Sequence, residues 1–289
     1  MTSTRFTLND FRAAAAADQK LAMLTCYDYT MAKLLTKAGV KMLLVGDSAA
    51  NVVLGHDSTI PVTQDFLCTL AQAVRRGAPD ALVMVDMPFG SCLSTSSGAK
   101  NVAEMVKLSG CDCVKIETTR GHLGLIQRLA DAGIAVFAHL GLTPQSVGLM
   151  GGYKTQGRSA MEAYAIADLA GDAVNAGAAG LLLEAVPPEV SELITQQLDV
   201  PVIGCGAGPA CHAHVVVVND ILGLSDFVPK FAPQLGDVAA PIVSAAAKYV
   251  KDIETGKYPS KNHMYQMPTD ESRTLKVEAR KVGIEIKGK

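Results

Sequence analysis

The sequence predicts a parallel (β/α)8 barrel, and three observations predict it. Short β-branched or Leu-rich runs alternate with Ala-rich amphipathic segments, roughly eight times along the chain. The runs are apolar throughout, as parallel strands covered by helices on both faces are. Five polar residues, Asp47, Asp86, Glu117, His139 and Glu184, each close a different expected strand. Barrel enzymes build their sites at that carboxyl rim, whereas an open sheet uses mainly its switch-point crevice.

The elements follow in order. Thr7–Arg12 reads as a short helix capped by Thr7, with Asp10 three residues on as an imperfect capping box, placed to plug the bottom of the barrel. Leu21–Cys26 is expected as strand one and Tyr29–Ala38 as a helix ending at Gly39. Lys41–Gly46 and Gln64–Arg76 form the second unit, Ala81–Asp86 and Ser97–Ser109 the third. Asp112–Glu117 with Gly121–Ala132 is the fourth, and Ile134–Ala138 with Ala160–Asn175 the fifth. Gly180–Glu184 with Pro188–Gln197 is the sixth, and Val200–Gly204 is strand seven. Val215–Asn219 reads as an eighth strand or as part of a helix, since periodicity does not separate short apolar runs. The expected barrel domain spans 1–265. From 266 to 289 the chain alternates charge with few large apolar residues, a polar tail expected to be mobile or docked on a neighbouring subunit.

Composition agrees with one large α/β domain. The chain has 289 residues, and barrels run to ~250 residues as single domains. With 49% hydrophobic residues and no Trp, the core must be built of Ala, Val, Leu and Ile. A net charge of −2 gives no basis for a nucleic-acid or anionic-membrane partner. The seven cysteines lack Cys-x-x-Cys or zinc spacing and read as reduced thiols of a cytoplasmic protein. The alanine run Ala13–Ala17 is too short for a signal peptide, and no apolar run approaches the ~20 residues of a membrane span.

The rim residues suggest chemistry. Asp47, Asp86 and Glu117 end successive strands, and neighbouring strands lie ~4.8 Å apart. Two such carboxylates can reach one cation with ligand distances of ~2.1 Å, an arrangement that suits Mg2+. The competing reading, three helix-capping carboxylates, is common for one residue but less so for three together. Lys115, two residues before Glu117, faces the same side of its strand, the barrel interior. It needs a charge partner there, either in a structural pair with Glu117 or on a bound carboxylate. Glu184 follows Leu181, Leu182 and Leu183, so desolvation should raise its pKa and suit it to acid or base work. The alternative is a charge at the N-terminus of the helix beginning at Pro188. His139 alone reads as a core histidine. The Gly204–Gly208 run is either an anion cradle or a tight turn. The long link Leu140–Ser159 is of a length usually kept for function, and carries Lys154 and Arg158.

Longer motifs point further. Gly46-Asp47-Ser48, the stretch Gly55–Thr63, Val114-Lys115-Ile116-Glu117, His139–Gln145 and Gly151–Arg158 appear in that order. Leu183-Glu184 with Pro187 and Pro201–Gly204 with Gly206-Ala207-Gly208 continue the series. Together, from about Leu21 to His263, they resemble the ketopantoate hydroxymethyltransferase family. The resemblance implies a (β/α)8 barrel of the phosphoenolpyruvate mutase-like group. It implies hydroxymethyl transfer from 5,10-methylenetetrahydrofolate to 3-methyl-2-oxobutanoate, forming ketopantoate. It implies metal ligation of Mg2+ by Asp47 and Asp86, with Glu117 in the outer shell. Ser48 and Lys115 are implied to contact the 2-oxo acid, with His139 beside it and Glu184 as base. A cytoplasmic decamer of two pentameric rings is also implied. The chain departs from the family at His212-Ala213-His214 and Asn219-Asp220, after strand seven and away from the metal residues. The alternatives are a different Mg2+-dependent C–C or C–P lyase on this barrel, and a non-catalytic paralogue. The Gly55–Thr63 signature opposes the first, and the retained Asp47, Asp86, Lys115, Glu117 and Glu184 oppose the second.

Overall fold

The structure, a computed structural model, describes residues 5–287. Its contacts split the chain between Gly236 and Asp237 into two compact units. In the first, eight parallel strands close into a barrel in chain order, β1 to β8. They are β1 Leu21–Thr25, β2 Met42–Val45, β3 Leu82–Asp86, β4 Cys113–Glu117, β5 Val136–Gly141, β6 Gly180–Glu184, β7 Val202–Cys205 and β8 Ala213–Val216. Helices α1 Leu8–Ala16, α2 Tyr29–Lys37, α3 Ala49–Val52, α4 Gln64–Gly77, α5 Thr95–Ser109 and α6 Leu123–Asp131 come before β5. Helices α7 Val147–Met150, α8 Ala160–Asn175, α9 Pro188–Gln197 and α10 Val218–Ile221 follow it.

Strand alternation sorts the side chains into two cores. Met23, Met42, Met84, Cys113, Phe137 and Leu182 fill the barrel interior. Leu43, Val83, Val85, Ile116, Leu181 and Leu183 face outward onto the helices, against residues such as Leu67, Val74, Met105, Ile126 and Ile194. The interior face continues upward into Asp86, Lys115, His139, Glu184 and Cys205 at the rim. Register places these side by side: Asp86 opposite Lys115, Glu117 opposite His139, and Glu184 opposite Cys205.

The N-terminal helix closes the other end. Its capping box is complete: the Thr7 hydroxyl accepts from the Asp10 amide, and the Asp10 carboxylate accepts from the Thr7 amide at 2.8 Å. The helix then lays Phe11 into the interior, fully buried and stacked on Phe137 at 6.2 Å with the rings 5° from parallel.

Several boundaries differ from the sequence expectation. Helix α1 runs four residues beyond Arg12, to Ala16. Strand five starts later and ends later than Ile134–Ala138, because the Ile134 amide closes α6 on Leu129 O while Leu140 and Gly141 pair with Leu183 and Glu184. His139 therefore lies inside β5 rather than at its end. The eighth strand is Ala213–Val216, and the rest of the ambiguous run is the short helix α10.

The second unit holds helices α11 Ala239–Glu254 and α12 Thr269–Lys281. Tyr258 packs between Tyr249 and His263, with ring centroids 5.3 and 5.0 Å away. The division thus precedes the expected one at 265, because the segment from Asp237 groups with itself. The expected limits at positions 1 and 289 lie outside the described residues. Within the polar tail, α12 forms with few large apolar residues and none buried. Asp270 and Glu271 lie in its first turn, and Arg280 and Lys281 in its last, each complementing the helix dipole.

Candidate active site

Asp47, Ser48, Asp86, Lys115, His139 and Glu184 line one cavity of ≈ 830 Å3, whereas Glu117 lines a separate, smaller one beside His122 and Gln145. Strand geometry explains the gathering. Asp86, Lys115, His139 and Glu184 are interior positions of consecutive strands, while Asp47 and Ser48 lie just past β2. Asp47, Asp86, Lys115 and His139 are all buried, His139 completely.

Asp86 is held from two sides. Its Oδ2 accepts from the Asp47 amide at 2.9 Å and lies 3.2 Å from the Lys115 ammonium. Its Oδ1 is buried and, among the described residues, has no hydrogen-bond partner. Buried carboxylate oxygens seldom go unpaired, so this atom is an acceptor for something else. Asp47 turns Oδ2 to the Gln145 amide nitrogen at 2.8 Å. Ser48 shares a hydrogen bond with Tyr27 Oη at 2.8 Å. Glu117 is engaged differently: both its oxygens accept from the Gln145 backbone N–H, at 3.0 and 3.2 Å. Among the described residues, no three His, Cys, Asp or Glu side chains form a ready-made ligand cluster. The donor set nonetheless fits Mg2+, which binds through one or two carboxylates and keeps several waters. Asp47 and Asp86 are neighbouring carboxylates on this cavity, and Glu117 is linked to Asp47 through Gln145.

Lys115 lies 3.1 Å from His139 Nδ1. An ammonium only donates, so Nδ1 is the acceptor and the ring proton of the neutral imidazole sits on Nε2. That nitrogen lies 3.2 Å from Glu184 Oε2, poorly aligned for a hydrogen bond and otherwise without a partner. Burial, then the Lys115 charge, holds His139 well below the usual histidine range. Burial alone would lower Lys115, but Asp86, Asp47, Glu117 and Glu184 together hold it charged. Burial pushes Asp86 up against the pull of Lys115. Burial also pushes Glu117 up to about 8 and Glu184 to about 7, opposed in both by Lys115.

Glu184 is set by its backbone. Its carbonyl accepts from the Leu142 amide at 2.8 Å, and the next residue, Ala185, has φ +46°, the left-handed region a side chain seldom adopts. The Ala185 carbonyl accepts from Gln156 N, so the link after β5 is tied to β6 at both ends. Gly141 makes the approach possible. It has φ +89°, and a Cβ there would stand 2.3 Å from Glu184 O.

Sequence reasoning missed Tyr27 and gave Gln145 no role beyond membership of a motif. Tyr27 follows β1 at the rim, the position that singled out the acidic residues. The glycine run after β7 is a tight turn against packed neighbours: a Cβ at Gly206 would meet the Phe231 ring at 2.6 Å. His212 lies at the amino ends of the strands, where its carbonyl accepts from Leu21 N and its Nδ1 from Val202 N. The departure at 212–214 thus begins at the end of the barrel away from the rim. Asn219 and Asp220 do line the cavity, and Asp220 accepts from Ser225 Oγ at 2.6 Å.

The fold recurs in known structures. A phosphoenolpyruvate phosphomutase from Streptomyces platensis subsp. rosaceus matches with TM-score 0.60 at 13% identity, over 96% of this chain and 99% of that one. The 2,3-dimethylmalate lyase, a PEP mutase/isocitrate lyase superfamily member, matches with TM-score 0.56 at 16% identity, over 94% and 98%. The class is therefore the parallel (β/α)8 barrel. Sequence narrows it. The family model for ketopantoate hydroxymethyltransferase matches residues 5–261. The 3-methyl-2-oxobutanoate hydroxymethyltransferase of Desulfotalea psychrophila is 42% identical over 268 residues, 92% of this chain and 96% of that relative. The chain belongs to the ketopantoate hydroxymethyltransferase family. Among the described residues, no helix is long and apolar enough to cross a membrane.

Proposed function

We propose that this chain transfers a hydroxymethyl group from 5,10-methylenetetrahydrofolate to 3-methyl-2-oxobutanoate. With water consumed, the products are 2-dehydropantoate (ketopantoate) and tetrahydrofolate. The observation that carries this reading is the meeting of Asp47, Asp86, Lys115 and Glu184 on one cavity in a chain of this family. Asp47 and Asp86 would hold Mg2+, which when bound supplies Lewis-acid stabilisation of negative charge on the substrate's keto oxygen. Lys115 adds a fixed positive charge that a 2-oxo acid carboxylate can share with Asp86. Ser48, steadied by Tyr27, offers the substrate a hydroxyl. Glu184, with its pKa near neutrality, accepts the C3 proton of the bound acid. The C3 carbon then bonds the one-carbon unit of the folate. His139 presents its Nε2–H, otherwise without a partner, beside both Glu184 and the bound acid.

The working form in this reading is a cytoplasmic decamer of two pentameric rings. Light scattering near ten times the chain mass of 30.2 kDa supports it, and the monomer mass contradicts it. The activity is tested with purified protein, Mg2+, 3-methyl-2-oxobutanoate and methylenetetrahydrofolate. Ketopantoate should form, cease with EDTA and return with added Mg2+. Absence of ketopantoate with C3 proton exchange intact would leave a 2-oxo acid enzyme that uses another donor.

A further inference from the structure

We infer that the Gln145 side chain is a positioning residue for the cation seat, clamping Asp47 so that its free oxygen faces the same point as Asp86 Oδ1. The inference rests on the Mg2+ reading above. Gln145 belongs to the turn just after β5, Pro144–Ser146. From there it reaches the ends of three other strands. Its backbone N–H meets Glu117 at the end of β4. Its side-chain nitrogen donates to Asp47 Oδ2 past β2 at 2.8 Å and to the Met87 carbonyl past β3 at 3.0 Å. Both side-chain partners are acceptors, so the amide can face them only with its NH2, and both N–H bonds are then used.

The two acidic residues are treated alike. Asp86 gives Oδ2 to protein donors and leaves Oδ1 buried and unpaired. Asp47 gives Oδ2 to Gln145. One oxygen of each is thereby removed from competition and the other left for a ligand. A carboxylate on a short side chain is free to rotate about χ2, so a donor on one oxygen fixes where the other points. Partners that orient ligating carboxylates typically change metal affinity ~10–100-fold when removed. Gln145 also opens the link that carries Tyr153, Lys154 and Thr155 to the cavity wall, so the same clamp ties that link to Asp47.

Gln145→Met tests this, because it keeps length and apolar bulk, loses both donors, and leaves the backbone bond to Glu117 in place. The reading is Mn2+ affinity by electron paramagnetic resonance on the full chain without substrate, with thermal unfolding as a fold check. Wild type should bind Mn2+. Gln145→Met should bind at least ~10-fold more weakly at an unchanged melting temperature. Gln145→Glu should not restore wild-type affinity, since its carboxylate meets Asp47 with like charge. Equal Mn2+ affinity in Gln145→Met and wild type overturns the clamp alone. No Mn2+ binding by wild type overturns the clamp together with the metal reading. Should Gln145→Met unfold, Gln145→Leu takes its place with the same two outcomes.

Discussion

Lys115 sets its ammonium 3.1 Å from His139 Nδ1 and 3.2 Å from Asp86 Oδ2, so one buried cation joins a carboxylate on β3 to a ring on β5. Replacing it with Met strips Asp86 of its counter-ion. Removing one partner of a buried pair costs about 3–5 kcal/mol. Lys115→Met should therefore lower the melting temperature without added Mg2+. It should also raise the His139 pKa, because Lys115 is one of the two causes holding it down. Thermal unfolding and imidazole NMR titration check these; unchanged values in both contradict the pairing.

Glu184 predicts the pH dependence. Burial pushes its carboxyl to about 7, and only the ionised form takes a proton. Exchange of the substrate C3 proton should rise with pH below about 7 and level off above it. A limb centred at the ordinary carboxylate value of ~4.3 would contradict the burial argument. Stability has the opposite sign. With the folded value raised, the group favours folding fully below ~4.3 and loses that contribution as pH climbs to about 7. The deficit of wild type against Glu184→Gln should grow across that window in denaturant titrations.

Gly141 predicts a steric effect on the same residue. Gly141→Ala puts a Cβ 2.3 Å from Glu184 O at φ +89°. Backbone strain of this kind costs about 1–3 kcal/mol, before the clash is counted. The variant should lose most C3 exchange and unfold at lower temperature. Full activity would show that Glu184 does not need its present position.

Phe11 predicts a purely structural effect. It is fully buried and stacked on Phe137 at the base of the barrel. Phe11→Ala should cost about 3–5 kcal/mol while the folded fraction keeps its turnover, because the rim is at the other end. A shift within ~0.5 kcal/mol in urea unfolding would mean the helix does not plug the barrel.

The legible parts share a cause. Gly180–Glu184, Ala160–Asn175 and Pro188–Gln197 match the expected boundaries because Gly, Ser or Pro punctuates one or both ends of each. Strand five drifted because Ile134 and Ala135 are as apolar as the strand that follows, and only pairing with β6 tells them apart. The rim acids were legible from position, one per strand end. Gln145 was not: an amide in a turn has no periodicity, and its three partners are brought to it only by closure of the barrel. Helix α12 was hidden because its only large apolar residues are Leu275 and Val277, too few to stand out from its charges.

The most direct test of the account is deuterium exchange at C3 of 3-methyl-2-oxobutanoate in heavy water with Mg2+ and no folate. Wild type should exchange the proton, and EDTA should stop it. Glu184→Gln should still bind the 2-oxo acid but exchange it at least ~100-fold more slowly. Exchange at the wild-type rate in Glu184→Gln would contradict the assignment of Glu184 as the base.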